Sequence, residues 1–363
     1  DDRPTFLMIT TGDKPANVTI SMPANSSQFK SLFAKTDRLI PANSYWKFEF
    51  STDDEMALIE NSIDDSGKST NKGIFIKSDV PVSAYYQVDG SKGAQKEIFT
   101  LKGKKALGNN FYMPFQEVYK ISTAYEGQGY RQIQIVATED NTVVTVVPKG
   151  PLASQNGYID QNSTEMLRQR TLNKGQTLLW REYKRNTSNI TGTQILSNKP
   201  VAVTLFEDCV DASPSQDIIG DQMVPVENLG KNYIVVKGYS YKSPATDHVG
   251  ILAVADGNTE VKVGHKDGRL ETKNLKKGEY WAWDLGEGIA EPSAYFVTAD
   301  KPVYCMHQSA VETELGGALL PSLYSISGRR ITFIKGSYKY DPDVSSYNAM
   351  FLVFQESAKD GFI

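Results

Sequence analysis

Apolar and polar residues alternate in short runs along most of this chain. Gln132-Ile133-Gln134-Ile135-Val136-Ala137-Thr138 is one such run, and residues 143–147 form another. A period of two sends successive side chains to opposite faces of a β-strand. Turn residues separate the runs: Glu139-Asp140-Asn141-Thr142 joins the two just named, and Asp256-Gly257-Asn258-Thr259 joins another pair. Asx and Gly residues tolerate the positive φ that hairpin turns demand. Helical signal is scarce. Residues 163–170 and 26–34 are the best candidates, and neither carries a sustained 3.6-residue apolar stripe.

The order of runs recurs. Each of Asp79-Val80-Pro81-Val82, Asn198-Lys199-Pro200-Val201 and Asp300-Lys301-Pro302-Val303 follows an apolar run, and each reads as strand, tight turn, strand. Proline fixes its φ and removes a ladder donor, which suits a turn or the first residue of a strand. A second signature is Gly175-Gln176-Thr177-Leu178 and Gly278-Glu279-Tyr280-Trp281, with Ala42-Asn43-Ser44-Tyr45-Trp46 as a version without the glycine. A third begins at Gly108-Asn109-Asn110-Phe111, Gly230-Lys231-Asn232-Tyr233 and Gly328-Arg329-Arg330-Ile331, each a turn feeding a strand.

These signatures return at intervals of roughly 110 residues, too long for solenoid repeats of about 20–50 residues. The expectation is an all-β chain of three tandem β-sandwich-like units with a final strand at the C-terminus. The units span residues 1–107, 108–227 and 228–341. Residues 342–363 start a further unit or close back on an earlier one, with 349–354 as the strand.

Composition narrows the function classes. The chain has 363 residues, 40% apolar and 10% aromatic, which is globular rather than disordered. A formal charge of -4, with no basic stripe, argues against a nucleic-acid partner. No apolar run approaches the roughly 20 residues of a membrane helix. The opening Asp1-Asp2-Arg3-Pro4 is what a mature secreted chain would show, and a trimmed cytosolic chain would show it too. Two cysteines are too few for a disulfide scaffold, so both thiols are expected free, Cys305 buried in a strand and Cys209 more accessible.

Taken together, residues 135–146, Gly175-Gln176, residues 192–203 and the link from Asp221-Gln222-Met223-Val224-Pro225 to Gly230 resemble the IgG-Fc-binding protein N-terminal domain family and its bacterial surface and secreted relatives. The resemblance covers about residues 108–302. It implies a β-rich extracellular, cell-surface or periplasmic module of Bacteroidetes type, without known catalytic residues, used in binding or adhesion. Members often carry a second cysteine after the position of Cys209. Residues 214–222 hold none, so a local disulfide is absent here. Binding of IgG itself does not carry over, because no residues match it.

Candidate chemistry is sparse. His248, His265 and His307 do not pair at metal-ligand spacing, and neither a nucleophile elbow nor a phosphate-binding glycine loop is present. Solvated charge is the default reading of Asp53-Asp54-Glu55 and Asp64-Asp65. The span from Cys209 to Asp221 reads as the longest loop, and Asp208, Asp211 and Asp217 line it. A calcium ion would order such a loop, although calcium needs six to eight converging oxygens. No other cofactor is implied. Trp180, Trp281 and Trp283 offer either core packing or an aromatic platform. The tyrosine pairs Tyr239/Tyr241 and Tyr338/Tyr340 read as packing between units or as contact surface.

The expected function is a non-catalytic, secreted or surface-attached module that binds an extracellular protein or glycan. Its site would lie at Asp208, Asp211, Asp217, Trp180, Trp281 and Trp283, near the junction of the second and third units, where loops on a rigid scaffold carry binding. Two other readings stand beside it: a carbohydrate-active enzyme or lectin with its site between units, and a purely structural spacer in a longer surface protein.

Overall fold

Strands form wherever the alternation is sustained. The computed structural model describes residues 4–25, 35–50, 58, 65–89, 96–124, 129–211, 216–237, 246–265, 268–286, 294–311, 314–323 and 325. The expectations for 26–34, Asp53 to Asp64, Tyr239, Tyr241, 328–333, Tyr338, Tyr340 and 349–354 fall outside those residues. Residues 1–327 form one unit and 328–363 another.

In chain order the strands are β1 (Pro4–Thr11), β2 (Ala16–Ser21), β3 (Lys35–Ile40), β4 (Tyr45–Glu49), β5 (Ser69–Thr70), β6 (Phe75–Ser78), β7 (Val82–Asp89) and β8 (Lys96–Leu101). Then come β9 (Gly108–Tyr112), β10 (Arg131–Ala137), β11 (Thr142–Val147), β12 (Leu152–Ser154), β13 (Gly157–Ile159), β14 (Gln169–Leu172), β15 (Thr177–Arg181), β16 (Gln194–Asp211) and β17 (Gln216–Gln222). The last are β18 (Gly230–Val236), β19 (His248–Ala253), β20 (Asn258–Gly264), β21 (Leu270–Lys276), β22 (Tyr280–Asp284), β23 (Ala294–Val311) and β24 (Glu314–Leu319). A short helix, α1 (Glu165–Arg168), falls inside the stretch that carried the helical signal.

One pairing scheme is used three times in this order. β1 pairs with β4 and β7, β10 with β15 and β16, and β19 with β22 and β23. β2 pairs with β3 and β6, β11 with β14 and β16, and β20 with β21 and β23. β7, β16 and β23 pair in turn with β8, β17 and β24. For brevity these stretches are called the first, second and third segments.

The prolines mark where a strand changes layer. In β16, residues 194–197 pair with β11, while residues 201–207 pair with β10. Pro200 lies between. In β23 the change falls between Ala299 and Val303, around Pro302. In the first segment the same path is broken into β6 and β7 around Pro81. Proline has no N–H to leave unpaired, so a corner at this point costs no ladder bond. The expected tight turn at Pro200 and Pro302 is therefore a corner within one 18-residue strand.

Inward positions fill the layers. Ile133, Ile135, Val144, Val146, Trp180, Val203 and Leu205 build the second core, and Leu252, Tyr304, Met306, Leu315 and Leu319 of the third segment join it. The third segment has a further core of its own, with Val249, Ile251, Val261, Val263 and Trp283. Leu7, Ile9, Val18, Ile20 and Trp46 fill the first. Between the first and second segments, Tyr86, Phe99 and Phe206 stack with centroids 4.9 and 5.9 Å apart.

Successive segments meet in the same way twice. The second-signature residues Asn43, Gly175 and Gly278 all take positive φ, at 53°, 82° and 77°. Gly73, just before β6, approaches the Gly175 turn so closely that a Cβ would lie 2.6 Å from its carbonyl oxygen. Gly192, just before β16, approaches Gly278 equally, with a Cβ 2.7 Å from that carbonyl.

A second seam brings carboxylates to the outer edge of β24. Asp217 Oδ2 accepts from the Leu315 amide at 2.8 Å, Asp221 Oδ2 from the Leu319 amide at 2.8 Å, and Glu97 Oε2 from the Gly317 amide at 3.3 Å. Side chains thus satisfy alternate edge donors where a further strand would otherwise be needed. Lys102 Nζ lies 2.5 Å from Asp221 Oδ1. Burial pushes the Glu97 carboxyl up to about 8 and the Lys102 amine down.

Candidate functional site

The end of the second segment brings three strand ends together. Arg131 opens β10, Glu182 follows β15, and Glu207 lies in β16 opposite Arg131. All three side chains point into the end of the sandwich and are buried. Arg131 Nε donates to Glu207 Oε2 at 3.0 Å, and the Arg131 amide donates to Glu182 Oε1 at 3.0 Å. Arg131 Nη2 donates to the carbonyls of Gln116 and Tyr119, at 3.3 and 3.1 Å. The Gln116 amide and Nε2 donate to Glu207 at 2.9 and 3.1 Å. One guanidinium thus serves two carboxylates. Burial raises both carboxyls, Glu207 to about 7, with Arg131 opposing the shift.

This network fixes the residues next to it on the outside. Alternation turns Tyr130 and Arg181 outward when Arg131 and Glu182 turn in. The Arg181 guanidinium sits 4.2 Å from the Tyr130 ring centroid, and that of Arg185 sits 5.3 Å from it. Arg185 Nη1 donates to the Ser122 carbonyl at 3.1 Å, which holds it against the ring. Beside them Tyr183 and Tyr158 pack at 5.0 Å, with Lys184 Nζ 5.6 Å from the Tyr183 ring. Tyr158 is 51% exposed. The result is a cationic, aromatic rim on a rigid base. Tyrosine and arginine are the residues that dominate contact energy in protein recognition.

Asp208 borders this rim, its amide donating to the Tyr130 carbonyl at 3.3 Å. Asp208 and Cys209 form a bulge between Glu207 and Val210, and Cys209 takes a φ of 54°. Both thiols are free, as expected, but Cys209 is buried rather than accessible. The bulge turns it under Gly129, whose added Cβ would lie 2.7 Å from the cysteine Cβ. Burial pushes the Cys305 thiol up. The supposed long loop is also corrected: β16 runs to Asp211 and β17 starts at Gln216, so a hairpin replaces it.

The six expected site residues are dispersed. Asp211 pairs across that hairpin with Gln216, and its amide donates to the Lys120 carbonyl at 2.8 Å. Asp217 is buried in the seam described above. Trp180 is wholly buried in the second core. Trp283 is buried in the third, its Nε1 donating to Glu271 Oε2 at 2.9 Å, while half-buried Trp281 packs on the same core below Lys273. Asp208 alone among them touches the rim. Arg181, Arg185, Tyr183 and Tyr158 were missed because only strand pairing brings them to Tyr130. The run Trp180-Arg181-Glu182-Tyr183, with charges at a strand end, is the one signal that marks them.

Among the described residues, no group of three His, Cys, Asp or Glu side chains converges to hold a metal ion. No described helix is long and apolar enough to cross a membrane. A shallow depression of 360 Å³ lies at α1, lined by Glu165, Met166, Gln169, Arg170 and Thr171. No curated protein and no solved structure matches the chain. One family profile does, described as IgGFc binding protein, and it spans residues 98–361. That match takes in most of the sequence, the whole of the arginine–tyrosine rim included, and on it the chain belongs to the IgGFc-binding protein family.

Proposed function

We propose that this chain is a non-catalytic recognition module of a secreted or cell-surface protein, and that it engages an extracellular protein or acidic glycan at the rim around Tyr130. The observation that carries this reading is the clamp of Arg181 and Arg185 on the Tyr130 ring, 4.2 and 5.3 Å from its centroid. It stands on strand ends that the buried Arg131 network holds in place. A preorganised aromatic face flanked by guanidiniums loses little side-chain entropy on binding and suits acidic groups. Family membership supports binding rather than catalysis. The carboxylates that meet at this end, Glu182 and Glu207, are closed off beneath the rim and paired with Arg131.

The test is an array of extracellular proteins, immunoglobulin Fc among them, and acidic glycans. The reading expects at least one saturable ligand whose binding falls tenfold or more in the Tyr130→Ala, Arg185→Ala double variant. An array without any ligand favours the spacer reading. Release of reducing sugar from a glycan would overturn the non-catalytic one.

A further inference from the structure

Phe48 of β4, Trp180 of β15 and Trp283 of β22 hold one position in the three segments, opposite Leu7, Ile133 and Val249. The phenylalanine ring has no N–H to satisfy. Trp283 Nε1 donates to Glu271 Oε2 at 2.9 Å. Trp180 is wholly buried, and its Nε1 meets no acceptor among the described residues.

The register locates the difference. Thr142 and Thr259 hold one position in β11 and β20, and they pair with Leu172 and Leu275. Arg168 and Glu271 each stand four residues before those leucines. The second segment therefore sets a second donor at the place where the third sets a carboxylate. Arg168 Nε is itself buried, without a partner among the described residues. The Arg170 guanidinium lies 5.3 Å from the Trp180 ring centroid, its Nε donating to the Gly67 carbonyl at 2.7 Å. Buried donors without an acceptor are rare, and each calls for a water, an ion or a ligand group. Two such N–H groups beside two guanidiniums favour a negative acceptor over water.

We propose that the second segment binds a carboxylate at Trp180 Nε1 and Arg168 Nε, in the place that the Glu271 side chain fills in the third, and that the carboxylate belongs to a uronic-acid sugar seated in the depression at α1. Arg170 joins the two parts, since it lies over Trp180 and also lines that depression. Its 360 Å³ falls within the range of small-ligand sites, which begins at about 300 Å³. Gln169 and Thr171 offer hydrogen bonds to sugar hydroxyls, and exposed Met166 offers an apolar contact. Glu165 also lines it, accepting from Gln169 Nε2 at 3.3 Å, and its charge disfavours a dianion such as phosphate. This inference does not depend on the rim around Tyr130.

The indole N–H resonances of the isotope-labelled full chain test it, titrated with sodium glucuronate at constant ionic strength. Trp180→Phe, which installs the ring of the first segment, identifies the Trp180 signal by its loss. Glucuronate should shift that signal saturably, glucose should not, and acetate should do so only at higher concentration. Arg168→Glu supplies the acceptor of the third segment. It should shift the signal without ligand and weaken glucuronate binding about tenfold or more. Should that variant not fold, Trp180→Phe carries the test by titration calorimetry, with the same loss expected. A Trp180 signal indifferent to glucuronate, an equal response to glucose or chloride, or full affinity in either variant overturns the carboxylate site. Acetate binding as tight as that of glucuronate overturns the sugar.

Discussion

The same strand ends carry different chemistry in the second and third segments. Asp247 stands where Arg131 does: the Leu285 amide donates to its carbonyl at 2.9 Å, as the Glu182 amide donates to that of Arg131 at 2.9 Å. By the same register Leu285 replaces Glu182 and Ser309 replaces Glu207. The third end is closed by a carboxylate on backbone. Asp247 Oδ1 accepts from the Ala310 amide at 2.8 Å, and its Oδ2 lies 3.2 Å from His307 Nε2. At the positions of Tyr130 and Arg181 this end carries Thr246 and Asp284 rather than tyrosine and arginine. Pairing scheme and layer corner are common to both ends. What differs is the charge each buries and the side chains it exposes. The fold sets where a surface stands, and the strand ends decide what it can hold.

The two closures should differ most in stability. Arg131→Leu strands two buried carboxylates and is expected to cost about 3–5 kcal/mol, the usual penalty for halving a buried ion pair. Asp247→Asn keeps an acceptor and is expected to cost about 1–3 kcal/mol. Urea unfolding of the two variants measures both. Equal losses would remove the distinction.

The next difference lies in pH dependence. The folded Glu207 carboxyl sits at about 7, above its ordinary 4.5, because burial disfavours its charge. The folded state therefore holds this proton more tightly than the unfolded chain does. Its contribution is complete below 4.5 and is lost as pH rises through about 7. Glu207→Gln should flatten that part of the stability profile. An unchanged slope between those pH values would place the titration elsewhere.

Much of this was legible in the alternation, and the rest was hidden for physical reasons. The runs in β10 and β11 show their strands, because one face of each is buried. β17 does not alternate: residues 217–221 are buried on both faces, so Gln216-Asp217-Ile218-Ile219-Gly220-Asp221 reads as loop. Proline at Pro200 suggests a turn, and only the pairing shows a strand that passes between layers. Alternation places Trp281 and Trp283 on one face, yet it cannot say that the face is core. Arg131, Glu182 and Glu207 are far apart in sequence, so their network exists only once β10, β15 and β16 align.

The smallest stability effect is expected at the rim. Tyr130→Ala removes two partly exposed cation–π contacts and should cost no more than about 1–2 kcal/mol. Thermal unfolding checks it, and a loss as large as that of Arg131→Leu would make Tyr130 part of the frame.

Affinity for the array ligand, measured by titration calorimetry in two double variants, tests the central claim most directly. Tyr130→Ala with Arg185→Ala should weaken binding at least tenfold, while Thr246→Ala with Asp284→Ala at the equivalent positions of the third-segment end leaves it unchanged. Full affinity in the first variant, or equal loss in both, would contradict the assignment of recognition to the second-segment rim.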